Sequence, residues 1–76
     1  MSSREIRQAL LEIHMEDVLD KLDVSDKNKE IVRKFMDGDT MAALGLEYGV
    51  SAPRIREIIL YCKRRTVWKR YKNFDM

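Results

Sequence analysis

Apolar positions along this chain recur at helical spacing, and no segment shows the strict alternation of a half-buried strand. In "REIRQALLEIHMEDVLDKL", residues 4–22, Leu11, Met15, Val18 and Leu22 fall at i, i+4, i+7 and i+11, with Ile6, Leu10 and Ile13 in a second row beside them. The pattern predicts one N-terminal helix with a broad apolar stripe. "DVSD" then breaks it, and Ser25 or Asp26 can cap a helix that presents Ile31, Val32, Phe35 and Met36. "DGD" stops that helix, with Gly38 free to take the left-handed conformation. Asp39 or Thr40 caps a short third helix, "MAALGLEY", which Gly49 ends and after which Ser51 caps a fourth.

The segment "GLEYGVSAPRIREII", residues 45–59, holds two of the three glycines and the lone proline. Two helices joined by a short turn cross steeply only if the turn has a residue that tolerates positive φ, and Gly49 supplies it. Val50 drops an apolar side chain between the helices. Pro53 falls in the first turn of the next helix, where its missing N–H has no intrahelical partner to lose. Gly45 lies one turn before Gly49, where close helix approach demands a small residue. Leu44, Ile55 and Ile58 close the contact. These offsets predict a helix-turn-helix within an all-α domain of four to five helices.

Counting about 100° per residue from Ile55, positions Ile58, Ile59 and Cys62 face the core. Pro53, Glu57, Leu60 and Arg64 point the other way, flanked by Arg56 and Lys63 on one side and Arg54, Tyr61 and Arg65 on the other. An outward face of this kind enters the major groove with its N-terminal residues nearest the bases. Arginine matches guanine O6/N7 and a carboxylate accepts from cytosine N4, so Arg56 and Glu57 lead as base readers, with Ser51, Ala52 and Arg54 at the helix mouth. Lys63, Arg64 and Arg65 suit phosphates. Leu60 sits awkwardly on this face, touching either a thymine methyl or a protein partner.

Charge sharpens the picture. Residues 1–39 carry seven Lys/Arg against ten Asp/Glu, and residues 40–76 carry eight against three, so an acidic half precedes a basic one within a net charge of +2. The basic half suits a polyanion. The wide stripe of the first helix, with Leu11, Met15 and Val18, either covers the domain's own core or meets another chain, including a second copy. At 76 residues the chain is one domain with no room for a second core. The single cysteine, Cys62, excludes an internal disulfide and suits a reducing compartment, hence a cytoplasmic, nucleoid-associated protein. No apolar run is long enough for a membrane span, and acids interrupt the N-terminal stretch where a signal peptide would be apolar. His14 is the only histidine and has no partner at metal-ligand spacing. No nucleophile–base pair, metal site or cofactor motif is present, so the sequence predicts no enzyme and no cofactor.

The segment "KEIVRKFMDGDTMAALGLEYGVSAPRIREIILYCKRR", residues 29–65, resembles region 4 of the bacterial sigma-70 family. "VSAPRIREI" and "KRR" carry the likeness, which covers about half the chain. The resemblance implies a domain that reads a promoter element and docks on RNA polymerase. It would place Arg54, Arg56 and Glu57 at the groove, Thr40 near a phosphate, and the helix around Ile31 to Met36 on the polymerase side. Ala52 and Pro53 stand where sigma factors usually carry a polar pair, which departs from the usual promoter preference. No counterpart of the promoter-melting region is present, so the resemblance implies a stand-alone bacterial or phage regulator of transcription. Two other readings use the same frame: a protein-interaction module that binds polymerase or a sigma factor, and a dimeric repressor or recombinase-type module.

The remaining segment, residues 66–76, interleaves aromatic and basic residues. On a straight continuation of the fourth helix, Trp68 and Tyr71 would lie about 160–220° from Ile55, opposite the core. The expectation is therefore a turn near Thr66 and a short fifth helix folding the rings back, with stacking on single-stranded bases as the other option.

Overall fold

The computed structural model of the chain describes residues 2–74, with side chains as far as Val67. The fold is all-helical: α1 (Ser3–Glu12), α2 (Met15–Val18) running into a 3-10 turn (Leu19–Lys21), α3 (Asp26–Met36), α4 (Met41–Tyr48) and α5 (Ala52–Phe74). Side-chain caps start the helices where short polar residues precede an apolar pattern. Ser2, Ser25, Thr40 and Ser51 each accept from the backbone N–H three residues on, at 3.0–3.3 Å.

The single N-terminal helix expected over residues 4–22 is broken. His14 adopts a left-handed conformation, φ 53° and ψ 48°, directly after the end of α1. Geometry gives the reason. On one straight helix Met15, Leu19 and Leu22 would lie about 160–220° from Ile6, so the two sets could not share a core. The left-handed residue re-aims the chain, and Ile6, Leu10, Met15, Leu19 and Leu22 are all buried together. The wide stripe therefore covers the domain's own core. Met15, left open between the core and a partner surface, is fully buried and so is no partner contact, and Val18 is half-buried against the same cluster; Leu11 alone of that row stays exposed.

Ile31, Val32 and Phe35 of α3, Leu44 of α4, and Ile55, Ile58, Ile59 and Cys62 of α5 complete the core. α5 packs on α4, α3 and α2 and is the spine of the molecule. Arg7 of α1 binds the far end of α3: its Nε donates to the Phe35 carbonyl at 3.0 Å, a terminal nitrogen donates to the Asp39 carbonyl at 3.3 Å, and the guanidinium lies 4.5 Å from the Phe35 ring centre. One arginine thus satisfies carbonyls near the end of a helix and stacks on its last aromatic residue.

The turn expected near Thr66 does not form. α5 continues unbroken to Phe74. Thr66 lies about 20° from Ile55 on the helix wheel, on the core side, and is buried. Its hydroxyl reaches the Cys62 carbonyl at 3.0 Å and the Met15 sulfur at 3.4 Å, so it is satisfied inside the helix and caps nothing. The side chains of Trp68, Tyr71 and Phe74, expected as either lid or stacking platform, lie outside the described residues.

Candidate nucleic-acid interface

The candidate interface is built on the junction between α4 and α5. Gly49 ends α4 in the left-handed region at φ 71°. The Val50 N–H donates to the Gly45 carbonyl at 2.9 Å, folding the turn tightly under α4. That closeness explains Gly45. A β-carbon there would sit 2.6 Å from the Val50 carbonyl oxygen and 3.3 Å from the Ala52 nitrogen. Val50 is half-buried against the core, and Ser51 starts α5 by accepting from the Arg54 N–H at 3.3 Å. Across the other side of α4, Lys34 of α3 reaches Glu47 and lies 3.3 Å from Glu30, while the Tyr48 hydroxyl donates to Glu30. The Glu47 contact, chiefly, raises the Lys34 pKa, and the Tyr48 and Lys34 contacts lower that of Glu30. This exposed network ties α3 to α4.

Arg54, Arg56 and Glu57 all stand exposed on the first turns of α5, with Ser51 and Pro53 exposed beside them and Ala52 half-buried against the turn. Arg54 and Glu57 form an ion pair at 3.2 Å. Among the described residues Arg56 makes no ion pair, so its guanidinium fork remains open. Arg64 is exposed farther along, whereas Lys63 and Arg65 are half-buried, with aliphatic stems able to lie on the helix surface. Thr40 is exposed at the start of α4, its hydroxyl already accepting from the Ala43 N–H at 3.0 Å. Leu60, read from the wheel as an outward residue, is half-buried and packs against the edge of the core. It does not offer a partner the free apolar side chain the sequence suggested.

A shallow groove of about 520 Å³ runs beside this face, lined by Arg54, Glu57, Ile58, Tyr61 and Arg64 of α5 and by Asn28 of α3. Asn28 carried no signal in the sequence. Its place in the groove depends on the packing of α3 across α5, which local spacing does not encode.

Two features bear on other chemistries. Cys62 is fully buried, and burial pushes its thiol up to about 11, so it stays protonated at neutral pH. Among the described residues no cluster of His, Cys, Asp or Glu is arranged to hold a metal ion, and no helix is long and apolar enough to cross a membrane. Compared with protein families, with curated proteins and with solved structures, the chain matches none.

Proposed function

We propose that this protein is a DNA-binding regulator of transcription, similar in plan to sigma region 4, that places the first turns of α5 in the major groove. One observation carries the reading: the helix that follows the Gly49 turn buries Ile55, Ile58 and Ile59 and leaves Arg54, Arg56 and Glu57 in open solvent. Arg56 is the principal base reader, with its fork free for a guanine edge. Arg54 and Glu57 act as a pair at the helix mouth. Arg64, Lys63, Arg65 and Thr40 supply sequence-independent contacts to phosphates.

Selection of bound sequences from a random duplex pool, with and without RNA polymerase, tests the reading directly. Binding is expected to weaken steeply with salt. Arg56→Ala is expected to cost about 1–3 kcal/mol on the selected site and to relax preference at one base pair. Equal affinity for every duplex, unchanged by that substitution, overturns base reading.

A second reading, contact with RNA polymerase or a sigma factor, draws on Leu46. This residue is 88 % exposed on the outer side of α4, and Leu11 of α1 is exposed as well. Co-purification with polymerase in the absence of duplex affinity selects it. A homodimer through the first helix has less to draw on, since most of that apolar stripe is internal.

A further inference from the structure

The groove between α3 and α5 gathers hydrogen-bond donors from two elements onto one open surface. Asn28 brings an amide, Tyr61 a hydroxyl, and Arg54 and Arg64 a guanidinium each. The single carboxylate in the lining, Glu57, is engaged by Arg54 at 3.2 Å, so two arginines outweigh one acid and the lining is net positive. Ile58, at the core side of α5, supplies the apolar part of the lining. Arg54 and Arg64 are ten residues apart on one helix, a separation of about 15 Å. A groove of this length spans more than one phosphate of a DNA strand, whose charges follow one another along the backbone.

We propose that this groove seats the sugar–phosphate backbone of one DNA strand, with Asn28, Tyr61 and Arg64 donating to phosphate oxygens beside the helix that reads the bases. The inference rests on the DNA-binding reading above and extends it: α3, outside the helix-turn-helix, becomes a second element in contact with the duplex. The occupant is duplex DNA because the donors recur along a helix face that continues from the base-reading turns. Contacts of this kind add affinity without reading sequence.

Asn28→Asp tests it with opposite signs on folding and binding. Position 28 is in the first turn of α3, where its N–H donates to the Ser25 hydroxyl. A carboxylate there faces the positive end of the helix dipole and keeps or raises thermal stability. The same carboxylate would face phosphates. Binding is expected to fall roughly tenfold on every duplex alike, with the ratio of selected to unrelated sequences unchanged. Arg64→Ala is expected to reduce the slope of log affinity against log salt by about 0.9, and Tyr61→Phe to weaken binding without changing that slope. Unchanged duplex binding by Asn28→Asp, with the parent protein bound normally, overturns the groove proposal alone. A changed base preference, or a loss confined to single-stranded DNA, overturns it too. Failure of the parent protein to bind any duplex removes both the groove proposal and the reading beneath it.

Discussion

His14 occupies the left-handed position that follows α1, a place where helices commonly carry glycine or asparagine. A residue with a β-carbon costs roughly 1–2 kcal/mol in that conformation, although histidine tolerates it better than most. His14→Gly is therefore expected to stabilise the fold by about 1 kcal/mol, and His14→Val to destabilise it, both read from the midpoint of urea unfolding. The same residue shows why the N-terminal break was illegible. A helix end is recognised in sequence by its glycine, and a histidine among apolar neighbours at helical spacing offers no such mark. Gly49 and Ser51 could be read in place, and Ser25 and Thr40 each as one of two adjacent cap candidates, because each belongs to the few residue types whose chemistry suits a cap or a left-handed turn. Arg54, Arg56 and Glu57 could likewise be placed outward, since the wheel that buries Ile55 and Ile59 leaves them no other side. Asn28 could not, because nothing near it in sequence announces its neighbour on α5.

Helix pairs succeed or fail here on a few close approaches, and α4 against α5 depends on Gly45. Alanine is the better helix former by about 1 kcal/mol, so propensity alone favours Gly45→Ala. Packing opposes it, because the added methyl would lie 2.6 Å from a backbone oxygen that is fixed by its place in the turn. The structure predicts that packing wins: a net loss of about 1–3 kcal/mol in chemical denaturation with an unchanged m value; on the DNA-binding reading proposed above, the shifted turn also weakens duplex affinity. The length of α5 shows the opposite limit of sequence reading. Thr66 looks like a cap when read beside its chain neighbours, yet the wheel from Ile55 already places it on the buried side. Aversion to outward aromatics at Trp68 and Tyr71 argued for a turn; the continued helix and the buried hydroxyl bond of Thr66 outweighed it.

Taken as one body, the protein is a single core wrapped around the first half of α5, and its stability against pH carries a signature of that burial. The Cys62 thiol titrates near its ordinary value of 9.0 when unfolded but only at about 11 when folded. The folded state thus holds its proton longer, so this contribution is full below pH 9 and is lost as pH rises toward 11. Unfolding midpoints are expected to fall across that window more steeply in the parent protein than in Cys62→Ala, after each is normalised to its value at neutral pH. The Cα trace measures 42 × 23 × 18 Å, and α5 alone is about 34 Å long. A helix of this length without a joint behaves as a lever. Because its first half is held in the core, a grip on its final turns would be a grip on the whole domain, and would carry Arg54 and Arg56 with it toward whatever lies beyond them.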